Sequence, residues 1–175
     1  MAEALVNEQD RAAPVSPYAP TVVTVGLSQE DRQSLRRILA GRDWHLREAH
    51  GCHEALVILS NQVVPVVVCE RDLPVGNWKD LLGALQSLAP SPGLVLSSRI
   101  ADAGLWAEVL NLGGDDLLTV PFSPDEVLRV LNLAIRRWRH KWEMSSVATA
   151  KPHPEWLFEE PVLTGIEREI AALAV

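Results

Sequence analysis

Residues 112–127 read LGGDDLLTVPFSPDEV, and this stretch predicts a strand, a turn and a helix in direct succession. Two glycines precede residues 117–120, an apolar and β-branched run that is typical of a short buried strand. Pro121 cannot donate to a strand ladder, so the strand ends there. Ser123 and Glu126 then form a capping-box pattern at the start of a long helix.

The same succession of strand and helix occurs four more times before this stretch. Strands are predicted over residues 21–25, 44–48, 63–69, 94–97 and 117–120. Helices are predicted over residues 28–40, 53–61, 78–88, 102–112 and from residue 123 onward. Strict alternation with right-handed crossovers produces a parallel sheet with helices on both faces. We therefore predict an α/β fold with a doubly wound, five-stranded parallel sheet and a C-terminal helical extension.

The amino-acid composition excludes or disfavours several classes of protein. The 175 residues include 16 Lys and Arg against 23 Asp and Glu, a net charge of −7, and 47% are apolar. This apolar content excludes wholesale disorder. No apolar run approaches the roughly 18 residues of a membrane span. The acidic balance argues against general nucleic-acid binding by the whole chain.

The chain divides into four segments by composition. Residues 1–20 contain three prolines and no hydrophobic period, which predicts a flexible leader without the features of a signal peptide. Residues 21–143 carry the alternating pattern. Residues 144–160 are rich in Ser, Thr and Pro and predict a linker, and residues 161–175 predict a C-terminal helix.

Signals for enzyme chemistry and for metal binding are absent from the sequence pattern. The two cysteines, Cys52 and Cys69, form no disulfide framework and no zinc spacing, which favours a reducing, cytoplasmic location. The histidines have no catalytic partner spacing, and residues 26–29 lack the glycines of a phosphate-binding loop. We expect no enzyme activity, no cofactor and no metal site.

Functional residues of open parallel sheets lie beyond the carboxyl ends of the strands. Here those ends are residues 26–29, 70–74, 97–99 and 120–122.

Residues 22–140 resemble the receiver domain of two-component response regulators, a CheY-like member of the flavodoxin-like folds. The resemblance rests on two stretches, WHLREAHGCHEAL at residues 44–56 and LGGDDLLTVPFSPDEV at residues 112–127. It implies signal transduction, with phosphoryl transfer to an Asp helped by Mg²⁺ and a Lys. Such transfer depends mainly on positioning and charge neutralisation.

The resemblance also places the family's working positions on residues that differ from them. It puts Gly26 and Leu27 at the Mg²⁺-binding carboxylate pair, Glu70 at the phosphoryl acceptor, Ser97 at the hydroxyl, Val120 at the Lys, and Leu117 at the aromatic position. Only the hydroxyl is retained, so we interpret the domain as a pseudo-receiver. A shifted register using Asp72, Asp31 or Glu30 is the alternative. The resemblance further predicts a cis peptide between Val120 and Pro121.

Two interpretations of Glu70 stay open at the level of sequence. Its permanent negative charge could imitate a phosphorylated Asp, or it could be a relic that points to solvent while Leu27 and Val120 pack over the former metal site. The imitation would be imperfect, because a phosphate carries −1.5 to −2 charges and three acceptor oxygens.

The resemblance implies a contact surface on helix four, strand five and helix five. Residues predicted there or along helix five are Trp106, Arg129, Asn132, Arg136, Trp138 and Trp142. We expect function through protein–protein contact, with a kinase, an output domain or a second copy as partner, in transcription regulation. Phosphorelay through a non-standard acceptor is one alternative. Nucleic-acid binding by the basic helix five is another, which we do not favour, and we expect no membrane partner.

The segment that begins at residue 163 reads LTGIEREI and weakly resembles the opening helix of a LuxR-type helix-turn-helix. No recognition helix follows it in the sequence. We therefore expect either an amphipathic helix or the first part of a further domain.

Overall fold

The computed structural model describes residues 20–146, which alternate between strand and helix throughout. The elements are β1 (Thr21–Val25), α1 (Gln29–Leu39), β2 (His45–Ala49), α2 (Cys52–Asn61), β3 (Val66–Glu70), α3 (Trp78–Gln86), β4 (Gly93–Ser98), α4 (Ala103–Asn111), β5 (Asp116–Thr119) and α5 (Pro124–Ser146). The predicted leader over residues 1–20, apart from its last residue, and the predicted C-terminal helix over 161–175 lie outside the described residues.

The five strands of residues 20–146 are parallel and lie in the order β2-β1-β3-β4-β5. The predicted fold class is therefore confirmed. The central strand β3 pairs with β1 on one side and with β4 on the other, and Glu70 is directly opposite Ser97 in the register. This pairing brings the ends of β3 and β4 to the same point on the carboxyl edge of the sheet.

Alternate residues of the strands point to opposite faces and form two separate cores. On one face, Val66 and Val68 of β3 pack in a cluster with side chains of α1 and α5. On the other face, Val67 and Cys69 pack with side chains of α2, α3 and α4. Because both faces are covered, β3 needs an apolar side chain at each of these positions.

Three of the helices begin at side-chain caps. Ser28 accepts from the Asp31 N–H, Asn77 from the Lys79 N–H, and Asp102 from the Leu105 N–H. Each cap satisfies a backbone donor that the first helical turn leaves free.

Four of the five strands in residues 20–146 have bounds that differ from the predicted ones, and the differences in β3 and β5 lie next to prolines. Strand β3 begins at Val66 rather than at residue 63, because Pro65 offers only its carbonyl, which accepts from the Gly93 N–H at 2.8 Å. Strand β5 ends at Thr119, one residue before Val120. The Val120–Pro121 peptide is cis, as predicted.

Helix α5 is the longest helix between residues 20 and 146, with 23 residues. It continues through Ser146, so the predicted linker cannot begin at residue 144. Trp138 and Trp142, one turn apart on this helix, contact each other with ring centroids 5.0 Å apart. No helix between residues 20 and 146 combines the length and the apolar character needed to cross a membrane.

Two glycine substitutions test the packing of the fold. A Cβ added at Gly93 would lie 2.6 Å from an Asp115 side-chain oxygen, whereas one added at Gly83 on α3 would meet no atom within 4 Å. We expect Gly93→Ala to lower the free energy of unfolding by about 1–3 kcal/mol through overpacking. Gly83→Ala should raise it by about 1 kcal/mol, because alanine favours a helix interior over glycine.

Urea unfolding of both variants and of the unmodified protein measures these changes. Equal effects of the two substitutions would contradict the packing described at the start of β4.

Candidate functional site

The carboxyl edge of the sheet holds a cleft of about 540 Å³ between the segments that follow β1, β3 and β4. Residues that line it include Gly26, Asp31, Glu70, Asp72 and Arg99. Sequence reasoning placed a site at these strand ends, and the structure brings most of them together around one cleft.

Apolar groups fill the space next to the end of β1. Gly26 has a positive φ of 71°, and a Cβ built on it would collide with the side chain of Leu73 from the β3–α3 segment. Leu27 is buried in the core shared by α1 and α5, in the same cluster as Val120. The pair of positions after β1 therefore offers no side-chain oxygen to the cleft.

Glu70 closes β3 and points its carboxylate towards β4. The Ser97 hydroxyl donates to Glu70 Oε2 at 3.1 Å and also lies 3.3 Å from the Cys69 carbonyl. Ser97 is fully buried, while Glu70 is half-buried. Glu70 is thus held inside the cleft by a hydrogen bond rather than extended into solvent.

Burial raises the pKa of Glu70 above its ordinary value, because the charged carboxylate loses water contacts. The hydrogen bonds from the Ser97 hydroxyl and from the Arg71 backbone N–H act in the opposite direction, and the nearby Asp31 carboxylate adds to the increase. The site therefore carries two carboxyl groups close enough to influence each other.

Asp31 lies in the first turn of α1, and its side chain is 8% exposed. Its carboxylate accepts from the Ser28 hydroxyl at 2.5 Å and from Arg99 Nη2 at 3.1 Å. The sequence indicated Asp31 as part of a shifted register and Arg99 as part of the strand end at residues 97–99, but it did not predict that the two residues meet. Their contact depends on how α1 and the β4–α4 segment approach each other, which no local pattern shows.

The end of β5 contributes apolar side chains. Val120, at the position of the family's Lys, is 4% exposed and belongs to the core. Leu117, at the aromatic position, is buried on the opposite face of the sheet among residues of α3 and α4. Neither residue can supply charge to the cleft.

Comparison with known proteins agrees with this geometry. No family model matches the chain. It is 33% identical over 105 residues to the transcriptional regulatory protein KdpE of Mycobacterium tuberculosis, covering 60% of this chain and 46% of that protein. It is 29% identical over 112 residues to KdpE of Escherichia coli, covering 62% and 49%. The chain thus spans about half the length of these relatives.

Among solved structures, the receiver domain of the Francisella response regulator 1452 is 25% identical, with a TM-score of 0.59. The alignment covers 67% of this chain and 98% of that domain. The described residues have the fold of a response-regulator receiver domain. The site can therefore be compared position by position with the groups that the receiver chemistry needs.

The residues at this site of the receiver-like domain do not fit a Mg²⁺ ion. A hard cation needs several oxygen ligands. Gly26 and Leu27 supply none from their side chains, Leu73 packs against the end of β1, and the Asp31 carboxylate already bonds to Ser28 and Arg99. Within residues 20–146, no group of three or more His, Cys, Asp or Glu side chains could hold a metal ion.

The receiver-like domain has an exposed surface on α4, β5 and α5, where Asp116 contacts two of the predicted contact residues. Asp116 accepts from Trp106 Nε1 at 3.1 Å, and its other carboxylate oxygen lies 4.0 Å from Arg129 Nη1. Asn132 and Arg136 are exposed further along α5. Trp106 is 49% exposed, an unusual degree for a ring of this size.

Trp138 and Trp142 do not extend this surface. They are only 1% and 8% exposed, so these two predicted contact residues are not available on the outside of the domain. They continue the stripe of Val127, Leu131 and Ile135 at helical spacing, and they form a separate buried cluster with each other.

Neutralising Glu70 tests the electrostatics of the site. Because the pKa of Glu70 is raised in the folded protein, the folded state binds its proton more tightly than the unfolded state does, and stability falls as the pH rises through the folded pKa. Glu70→Gln cannot ionise but keeps an acceptor for Ser97. At neutral pH we expect it to melt a few degrees above the unmodified protein. The difference should vanish below about pH 4.5, where an unfolded Glu is also protonated.

Calorimetric melting in a series of buffers from about pH 4 to about pH 8 measures this difference. Asp72→Asn, at a 79% exposed side chain, is the matched control and should hardly change the melting temperature. A Glu70→Gln variant that melts below the unmodified protein at neutral pH would contradict the account.

Proposed function

We propose that this receiver domain works in two-component signalling by protein–protein contact and without Mg²⁺-dependent phosphorylation. The observation that carries the proposal is the apolar filling of the receiver's charged positions. Gly26, Leu27 and Val120 stand where the metal-binding pair and the Lys are expected.

The chemistry of phosphoryl transfer supports this reading. The transferred group carries charge on three oxygens, which the metal ion and a cationic side chain must neutralise. Here the buried Val120 cannot do so, and Arg99 is already paired with Asp31. A phosphoryl group on Glu70 would add further negative charge close to the Asp31 carboxylate.

Glu70 favours the interpretation of a built-in signal over that of a relic. A relic would point to solvent, but the Glu70 carboxylate accepts from the buried Ser97 hydroxyl. A negative carboxylate and the hydroxyl are thus hydrogen-bonded to each other without phosphorylation of either residue. We propose that this contact holds the end of β4 in one arrangement.

The domain would bind its partner through a surface, here called the output surface, that consists of Trp106, Asp116, Arg129, Asn132 and Arg136. An exposed Trp and exposed Arg side chains are the residues most enriched at protein interfaces. We propose a protein partner there, either a kinase, an output domain or a second copy of the chain. The relatives are transcriptional regulators by name, and we propose a cytoplasmic role in transcription regulation for this chain.

Incubation with Mg²⁺ and acetyl phosphate, followed by intact mass measurement, tests the proposal. We expect no phosphoryl adduct on the unmodified protein. We also expect none on Glu70→Asp, because restoring the acceptor alone restores neither the metal ligands nor the Lys.

A receiver with a complete site, labelled under the same conditions, is the positive control. An adduct on the unmodified chain would overturn the proposal, and peptide mapping would then distinguish Glu70, Asp72 and Ser97 as acceptors. An adduct on Glu70→Asp alone would show that the acceptor residue, not the apolar filling, prevents phosphorylation.

A further inference from the structure

Arg99 makes a long-range contact across the carboxyl edge of the sheet. Its Nη2 lies 3.1 Å from Asp31 Oδ2, which joins the segment between β4 and α4 to the first turn of α1. The two residues are 68 positions apart in the sequence, so only the fold brings them together.

Asp31 is the more buried partner of the pair. Its side chain is 8% exposed, against 62% for Arg99. A carboxylate removed from water needs a cation or several hydrogen-bond donors. In the described residues it has the Ser28 hydroxyl, its place at a helix N-terminus, and the Arg99 guanidinium.

We propose that Arg99 is a built-in cation that closes the carboxylate cleft and fixes the β4–α4 segment against α1. This inference rests on the proposed function, because it names what holds a receiver in one state when phosphorylation is absent. The Arg99 guanidinium supplies, as part of the chain, positive charge that a bound metal ion supplies in a receiver with a complete site.

A short series of hydrogen bonds connects the Arg99–Asp31 ion pair to Trp106 on the output surface. After Arg99, the Ile100 N–H donates to the Ser98 hydroxyl oxygen, and Asp102 then caps α4. One turn later, Trp106 of α4 donates to Asp116 on β5. An ion pair that positions residue 99 therefore also restrains the start of the helix that carries Trp106.

A second ion pair at the same edge is longer, and its carboxylate is more exposed than that of the Arg99–Asp31 pair. Arg71 Nε lies 3.7 Å from Asp72, and the Asp72 side chain is 79% exposed. Exposed pairs of this kind contribute little, because water and salt screen them. The Arg99 pair differs in having a buried acceptor and a shorter contact.

Amide hydrogen exchange of Arg99→Gln tests the proposal in the whole chain. We expect the amides of Ile100, Leu105 and Trp106 to exchange roughly tenfold faster, as expected when a hydrogen bond to a charged group is lost. The Trp106 indole N–H resonance should shift, and exchange of β3 amides should stay unchanged. Arg99→Lys keeps the charge and should restore part of the protection.

Arg71→Gln is the matched control, because it removes the same charge from the same edge, and it should leave these amides unchanged. Asp31→Asn should speed their exchange, and Arg99→Gln should then add little in the double variant. Equal exchange rates in Arg99→Gln and Arg71→Gln, or additive effects of Arg99→Gln and Asp31→Asn, would overturn the proposal. Because no phosphoryl donor is used, this result is independent of the acetyl phosphate experiment.

Discussion

The burial of β3 on both faces of the sheet is the constraint on which the rest of the domain depends. Val66 and Val68 face α1 and α5, while Val67 and Cys69 face α2, α3 and α4. A strand in this position must have parallel neighbours whose crossovers place helices on both sides. All five strands then end at one edge, and Glu70 is placed opposite Ser97.

The same edge shows how one fold can keep its architecture while its chemistry changes. Leu27 and Val120 join the core, and Leu73 covers Gly26, so hydrophobic packing replaces charged groups. The carboxylates that remain are satisfied within the chain, Glu70 by Ser97 and Asp31 by Ser28 and Arg99. Charges that are satisfied internally leave little reason for an external ion to bind.

Much of the fold could be predicted from the sequence, because its signals are local. The Ser28 cap, the apolar run of β3 and the stretch at residues 112–127 each predict their own element, and their order predicts the sheet. The start of β3 differs from its predicted position because Pro65 altered the backbone pairing there. The predicted contact residues Trp138 and Trp142 are buried. The sequence did not predict this, because a helical stripe does not reveal where the domain surface begins.

The site was harder to predict than the fold. The positions of Gly26, Glu70 and Ser97 follow from the ends of strands, and the structure brings Glu70 and Ser97 into contact. The Arg99–Asp31 pair and the Trp106–Asp116 bond are long-range or cross-element contacts. Their geometry depends on how helices and loops pack, and that information is spread over the whole chain.

Groups of the chain itself, rather than a metal ion, satisfy the carboxylates of the cleft. Titration of the ¹⁵N-labelled protein with Mg²⁺, at constant ionic strength, tests this claim most directly through the amide resonances of residues 26–28, 70–73 and 97–99. We predict no saturable shift of these resonances up to millimolar Mg²⁺. A saturable shift confined to them would show that the cleft still binds the metal and would contradict the claim.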